Sequence, residues 1–464
     1  MTAHNPAWPA VFAGDVFAVL GLGRNGLPAA LALRSMGAVV TVWDDQPEAR
    51  AAAAREGLRV AVPAHTASLT ALILSPGIPH RLPKPHPQAA LILARGVPIW
   101  SDAEALFIAA RRAGSEAKFL GITGTNGKST TTALTAHILQ RAGMSVAAGG
   151  NLGPAALALP LLDKTGFYVL EMSSYMLERI ATMRFNAAVM LNLSPDHLDR
   201  HGSFAEYAIV KAGIFARQTQ ADTAVVGVDD PASELIATQM ASRPVPLVRI
   251  SGERVADLYA QNKVLQDQHG ALADLGMARA LPGTHNAQNA AAASALAMAV
   301  GVPRTMIGPA LLDFPGLPHR QALIREIDGI SFINDSKATN ADATARALAC
   351  HERVIWIAGG VAKSGGITSL APYLPRVAHA LLIGQASADF ATTLAANGVA
   401  HSVVDTLDRA VESAFALARA QNVPIVLLAP ACASFDQFAN YEARGERFAA
   451  LVQQLAEHRT GGAA

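Results

Sequence analysis

Residues 118–143, "KFLGITGTNGKSTTTALTAHILQRAG", constrain the fold of this chain more than any other stretch. A β-prone run leads into a glycine-rich turn, and an apolar-periodic segment ending at a Gly follows. The residues therefore predict strand, tight loop and helix, in that order. In such a loop backbone N–H groups turn inward, which glycine permits because no Cβ intrudes. The helix N-terminus adds a dipole that favours an anion. Gly-Lys-Ser at 127–129 is the phosphate-cradling signature, with Lys128 offsetting β/γ-phosphate charge and the Ser129 hydroxyl reaching Mg²⁺. The usual pattern puts a Gly five residues before Gly127, where this chain has Ile122; its extra glycines are Gly121 and Gly124. That changes the loop's shape and leaves its donors in place. The expected triphosphate contacts are Gly124, Thr125, Asn126, Gly127, Lys128, Ser129 and Thr130.

Around this unit short β-rich runs alternate with Ala-rich helical patterns, which argues for α/β architecture with largely parallel sheets. At 464 residues the chain is too long for one ordinary core, and the β/α cycle restarts twice. Three consecutive α/β domains are expected: Rossmann-like over 1–112, a P-loop-type ATPase over 113–316, and Rossmann-like again over 317–464. The first should hold strands near 15–20, 39–43 and 71–74. The second includes "FYVLE", "AAVMLNL" and "TAVVGV", and closes with the helical "NAQNAAAASALAMAVG" and the linker "FPGLPHR". The third sets a polar loop after each of "ISFIN", "VIWIAGG", "ALLIG", "HSVVD" and "PIVLLAP".

Composition narrows the class further. Hydrophobic residues at 51% against 16% charged describe a compact chain, not a disordered one. A net charge of +1 gives no general attraction to nucleic acid or anionic lipid, so neither is expected as a partner. With only Cys350 and Cys432 there is no disulfide framework, which fits a reducing cytoplasm. The first residues lack the pattern of a secretory signal, and Gly, Pro or charge interrupts every apolar run before membrane-spanning length.

Further candidates lie near the phosphate loop. "FYVLE" ends in Glu171, which would bring a carboxylate to a phosphate-bound metal. In "LSPDHLDRHGSFAEYAIVKAGIF" a strand delivers Asp196 and His197 into a loop, and Ser203 with Glu206 forms a capping box that opens a helix. On that helix Phe204, Tyr207, Lys211 and Ile214 fall three to four apart, which places Lys211 on the apolar stripe. A desolvated amine favours its neutral form. It is then a nucleophile, a base, or a site that CO₂ converts to a metal-binding carbamate; a lysine snorkelling from the stripe's edge is the plainer alternative.

In the first domain, "VLGLGRNGLPAALALRSMGAVVTVWDD" carries a full GxGxxG at Gly21, Gly23 and Gly26, with Asp44 some twenty residues on. A pyrophosphate on a helix N-terminus satisfies these donors whether it belongs to NAD or to a uridine nucleotide, so the fingerprint alone leaves both open. In the third domain Lys337, Lys363 and Ser434 each follow an apolar strand. Loops after parallel strands converge in one crevice, and two lysines with the Thr339 hydroxyl there suit an anionic ligand.

Taken together, GTNGKST, the strand-end Glu171, SPDHLDRHG and the YxxxK of Tyr207 and Lys211 resemble the central domain of the Mur ligases, which build the peptidoglycan peptide stem; folylpolyglutamate synthase shares part of that set. "GLPHR", "NDSKATN" and "LAPACASFDQFANYEARG" are similar to the third domain of the D-glutamate-adding members. The resemblance spans essentially the whole chain. It implies an ATP-dependent amide ligase that joins D-glutamate to UDP-N-acetylmuramoyl-L-alanine through an acyl phosphate, acting as a monomer with two Mg²⁺ ions. Lys128 and Ser129 would hold the ATP phosphates and one Mg²⁺ shared with Glu171, while His197 and a carbamylated Lys211 would hold the second. Asn286 and Asn289 would sit at the adenine, with Arg320 and Asp335 meeting the nucleotide from the third domain. Gly21, Gly23, Arg24, Asn25, Gly26, Asp44, Asp45, Ser75, Gly77 and Asn151 would bind the UDP substrate. Lys337, Thr339, Lys363, Ser434 and Tyr441 would surround D-glutamate. Two positions depart from the family pattern, Tyr441 and Tyr175, each where Phe is more frequent.

Overall fold

The computed structural model describes residues 8–151, 153–363 and 365–460. Its first sheet is formed by β1 (Val16–Leu20), β2 (Val39–Trp43), β3 (Arg59–Val60), β4 (Ala71–Leu74) and β5 (Ile99–Trp100), in the order β3-β2-β1-β4-β5. Every pairing in it is parallel. The chain runs outward from β1 to β3, then restarts at β4 on the other side. The reversal opens a crevice beyond the carboxyl ends of β1 and β4, the usual ligand position in such a sheet.

The second sheet contains β6 (Lys118–Thr123), β7 (Val146–Gly150), β8 (Phe167–Glu171), β9 (Ala187–Met190), β10 (Thr223–Gly227), β11 (Leu247–Ser251), β12 (Leu258–Gln261), β13 (Val264–Asp267) and β14 (Gly270–Asp274). Their order is β14-β13-β12-β11-β10-β9-β6-β8-β7. The phosphate-loop strand β6 is central, paired in parallel with β8 and β9. All residues of β8 and β9 are buried, as expected of parallel strands covered on both faces. The Ala-rich helix Thr284–Ala299 packs on the helix Lys128–Arg141, and its small side chains allow that close approach.

The third sheet comprises β15 (Ala322–Ile327), β16 (Ile330–Asn334), β17 (Val354–Gly359), β19 (Val377–Ile383), β20 (His401–Asp405) and β21 (Ile425–Leu428), with β18 (Val361–Ala362) and β22 (Cys432–Ala433) forming a small separate pair. Its order is β15-β16-β21-β17-β19-β20, parallel except for the β15–β16 hairpin. Three α/β sheets thus follow one another along the chain. By packing they fall into two compact units. One runs to Met277 and includes Thr284–Phe314, so it holds the first two sheets. The other combines Ala278–Gly283 with the chain from Pro315 onward. Among the described residues no helix is long and apolar enough to cross a membrane.

Glycine is required where the first glycine turn meets its helix, Gly26–Ser35. Gly21 has φ of 88°, and a Cβ on Gly26 would lie 1.7 Å from the Gly21 carbonyl oxygen. Gly26→Ala is therefore expected to destabilise the fold by about 1–3 kcal/mol through forced overpacking. Denaturant unfolding measures this; an unchanged midpoint would show that the helix is not seated on the turn as described.

Candidate active site

A cavity of about 520 Å³ opens at the carboxyl ends of β1 and β4. Gly21, Gly23, Arg24, Asn25, Asp44, Asp45, Ser75, Gly77 and Asn151 all line it, whereas Gly26 packs beneath Gly21. Asp44 is held by the turn it faces, accepting from the Leu22 and Gln46 backbone N–H groups at 2.7 and 2.9 Å. Asp45 meets His86 Nε2 at 3.0 Å, and that hydrogen bond keeps its carboxyl below the usual range. His86 Nδ1 accepts from the Gln88 N–H at 3.2 Å, which assigns the ring proton to Nε2 and makes it the donor to Asp45. Behind Asn25 lies Asp102, whose carboxyl burial pushes up to about 6 despite an N–H bond from Ala156. The Asn25 amide spans Asp102 and the Gly150 carbonyl at 3.4 and 3.3 Å.

The phosphate loop leaves β6 and enters the helix Lys128–Arg141 through Gly127, at φ of 86°. Lys128 Nζ folds back onto the loop, donating to the Gly124 and Thr125 carbonyls at 2.9 and 2.8 Å. Asn192, just past β9, braces the loop by accepting from the Asn126 N–H at 2.9 Å and donating to its carbonyl at 3.2 Å. The resemblance puts Asn286 and Asn289 at the adenine; in the structure Asn289 lies beside Gly127 of the phosphate loop. A Cβ on Gly127 would lie 2.2 Å from Asn289 Oδ1, which also accepts from Thr131 Oγ1 at 3.2 Å. Asn289 donates in turn to Asn286 Oδ1 at 3.0 Å, and both amides are buried. Ser129 is buried at the helix start and Thr130 half-buried.

Glu171 ends β8 opposite Ile122 of β6, so its side chain emerges beside the loop. Its Oε1 accepts from Asn151 Nδ2 at 2.8 Å, while the buried Oε2 has no hydrogen-bond partner among the described residues. Lys211 is buried, as its place on the stripe implies, and donates to the Gly124 carbonyl at 2.9 Å and to Thr123 Oγ1 at 3.4 Å. Two lysine amines therefore share one carbonyl, that of Gly124. Burial, and then Lys128, draw the Lys211 amine well below its ordinary value. His197 adopts φ of 53° at the start of a short turn of helix, with its ring 5.0 Å from that of Tyr175. Burial lowers its proton affinity, partly opposed by Asp196, whose carboxylate is 3.4 Å from Nε2. Tyr207 of the same YxxxK places its hydroxyl 3.1 Å from Thr125 Oγ1.

These groups suit Mg²⁺. Among the described residues no three His, Cys, Asp or Glu side chains form a cage. A single unpartnered carboxylate oxygen, that of Glu171, is nonetheless a donor of the kind Mg²⁺ takes when phosphates and water complete its octahedron.

In the second unit the loops after β16, β21 and β17 leave neighbouring parallel strands and carry Lys337, Ser434 and Lys363. Lys337 Nζ lies over the Tyr441 ring, 3.8 Å from its centroid, and Lys363 is exposed. Thr339 follows in the same turn, its N–H on the Lys337 carbonyl at 2.8 Å. Asp335 accepts from Gln321 Nε2 at 2.8 Å, and burial pushes its carboxyl up to about 6; Arg320 acts against that. The sequence does not announce Arg444, which is buried under this rim and bonds Ser336 Oγ, Ser336 O and Cys432 O at 2.9, 2.8 and 3.1 Å. It thereby ties together the loops that bear Lys337 and Ser434.

The first unit carries two nucleotide-type loops and the second a lysine-bearing rim, and the likenesses to known proteins place a chain with these parts among the ATP-dependent ligases. The Mur ligase middle domain matches residues 122–297 and the Mur ligase glutamate ligase domain residues 319–432. The chain belongs to the Mur ligase family. Its full-length relatives are more specific. It is 48% identical to the UDP-N-acetylmuramoylalanine–D-glutamate ligase of Rhizobium johnstonii, covering 94% of each chain, and 46% identical to that of Caulobacter sp. strain K31, covering 96% of this chain and 97% of the other. The fold is similar to that of the UDP-N-acetylmuramate-alanine ligase MurC from Thermotoga maritima, with a TM-score of 0.58 at 18% identity, over 95% of this chain and 99% of that one.

Proposed function

We infer that this chain is the ATP-dependent ligase that joins the amine of D-glutamate to the alanine carboxylate of UDP-N-acetylmuramoyl-L-alanine, forming ADP and phosphate, in cytoplasmic peptidoglycan precursor synthesis. The observation that carries the reading is the likeness to D-glutamate ligases over 94% of the chain. A carboxylate is a poor electrophile and does not condense with an amine in neutral water. Attack of that carboxylate on the γ-phosphate would convert it to an acyl phosphate, and the D-glutamate amine would then displace phosphate. Catalysis of this kind is mostly positioning and electrostatics.

The cavity beyond β1 and β4 would seat the uridine diphosphate, and Asn151, which lines it while bonding Glu171, would mark the end near the transferring phosphate. The phosphate loop would hold the triphosphate, with Lys128 leaving its two carbonyls to meet the β/γ-phosphates. Asn286 and Asn289, bonded to each other, would sit at the adenine, with Asn289 also packed against Gly127 of the loop. Ser129 and Glu171 would hold one Mg²⁺, and His197 with a carbamylated Lys211 a second; bound Mg²⁺ would offset charge on the transferring group. Lys337, Thr339, Lys363, Ser434 and Tyr441 would bind D-glutamate, and Arg320 with Asp335 the nucleotide. A monomer suffices for this assignment, since one chain supplies all of these residues.

Labelled D-glutamate incubated with the purified chain, the nucleotide-sugar acceptor, ATP and Mg²⁺ should enter an amide, with one ADP released per bond. ADP release with no labelled amide would refute the reading.

A further inference from the structure

A buried charge cluster stands behind one wall of the nucleotide-sugar cavity. Arg179 and Arg200 are only 3% and 6% exposed. Arg179 donates to the carbonyls of Leu74, Ser75 and Ile78 at 2.9, 3.0 and 2.6 Å, so its fork grips the turn after β4 whose Ser75, Gly77 and Ile78 line the cavity. Arg200 reaches the same turn at the Ile78 carbonyl, 3.5 Å away. Glu178 is the acid the pair shares, 3.3 Å from Arg200 and also 3.0 Å from His201 Nδ1. His80 adds no charge: burial, then Arg179 and Arg200, hold its pKa down to about 3, and its Nδ1 accepts from Arg179 Nε at 3.3 Å. Among the described residues bonded to one another here, two guanidiniums meet one carboxylate, that of Glu178.

The cavity wall has the opposite balance. Its lining has two carboxylates, Asp44 and Asp45, against the single guanidinium of Arg24. Arg50 is not part of that lining and bonds the backbone carbonyls of Asp44 and Asp45. An acceptor carrying a diphosphate needs compensation from somewhere. Arg179 is also mechanically placed to matter. It stands eight residues after Glu171, and Glu104 fixes the segment that follows by accepting from the N–H groups of Ala181, Thr182 and Met183.

We propose that Arg179, backed by Arg200, is a positioning residue for the diphosphate of the acceptor: it fixes the Leu74–Ile78 turn through three carbonyls and sets surplus positive charge behind that wall. The inference rests on reading the cavity as the nucleotide-sugar site. Burying guanidinium in excess of carboxylate is costly, and an apolar side chain of that size would pack the same space without the penalty. An anionic ligand at the wall gives the arrangement a use.

The test titrates UDP and neutral uridine calorimetrically into the full chain, as wild type, Arg179→Met, Arg179→Lys and Arg200→Met. Arg179→Met should weaken UDP about tenfold, the scale of one partly screened unit charge, and leave uridine within about twofold. Arg179→Lys should recover part of the UDP loss. Arg200→Met keeps the three Arg179 bonds and loses only the long 3.5 Å contact to the Ile78 carbonyl, so it tests chiefly the charge even where Arg179→Met does not fold, and it should lower the UDP-to-uridine ratio in the same sense. A ratio equal to wild type in the folded variants, whether both ligands weaken together or neither does, would overturn the proposal. Wild type that fails to bind UDP would instead overturn the reading of the cavity.

Discussion

Lys128→Met is expected to lower amide formation by about 10²–10³-fold, the scale of removing one preorganised charge from a transition state. In the structure Nζ rests on the Gly124 and Thr125 carbonyls, a position from which a short side-chain swing reaches any group cradled by the loop. Methionine keeps the length and removes the charge, so the loop's shape should survive. The variant should release ADP slowly even with acceptor, D-glutamate and Mg²⁺ all saturating. The loss should fall on kcat more than on the acceptor's KM, because on the proposed reading the lysine would serve the transferring phosphoryl group and not the nucleotide sugar. Near-wild-type ADP release would remove Lys128, and the loop with it, from the chemistry.

Much of the scaffold behind that prediction is legible without coordinates. The strands expected near 15–20, 39–43 and 71–74 appear at Val16–Leu20, Val39–Trp43 and Ala71–Leu74, and "FYVLE" is β8. Their runs are apolar because both faces of a parallel strand are covered, a signal strong enough to survive without context. The antiparallel extension β12–β14 escapes the same reading. "LYAQNKVLQDQHGALAD" lies at the sheet's edge with half its side chains in solvent, and its polar residues look like loop. β15, "ALIREI", is equally hard to see, since its partly exposed residues fit a helix as well as an edge strand.

The site divides along a similar line. The proposed ligand-facing residues sit in fixed spacing around glycines and strand ends, so Lys128, Glu171, Ser75 and the Lys337 turn stand out as candidates from the order of residues. Residues that hold those groups in place cannot. Asn192 braces the phosphate loop from 66 positions away, and Arg444 reaches Ser336 across 108. Arg179, in "MLERIATMRF", reads as a solvated charge until the fold brings the Ser75 turn against it. His86 reads as a loop residue, yet its ring caps a helix with one nitrogen and grips Asp45 with the other. Such roles follow from tertiary contacts that no local pattern encodes.

Lys211→Ala should be the second severe variant, down by about 10²-fold or more, and it alone should respond to added small carboxylates. The geometry already works against an ammonium at this position: the amine is buried, and Lys128 competes for the same Gly124 carbonyl. Both effects favour the neutral amine, the form that attacks CO₂. That reaction joins nitrogen to carbon, releases one proton and leaves a carbamate anion, so a neutral amine facing Lys128 would become an anion facing it. Attraction to Lys128 results, and a metal-binding oxygen pair appears near Glu171 and His197. Lys211→Ala removes the chain that carries this group but leaves room for formate or acetate, which should restore part of the activity. Lys211→Arg keeps a cation and fills the space, so it should stay inactive with or without them. Wild type prepared in ¹³C-bicarbonate should show a carbamate carbon signal that is absent from both variants. A missing signal together with no rescue would return Lys211 to the role of an ordinary lysine that steadies the Gly124 carbonyl.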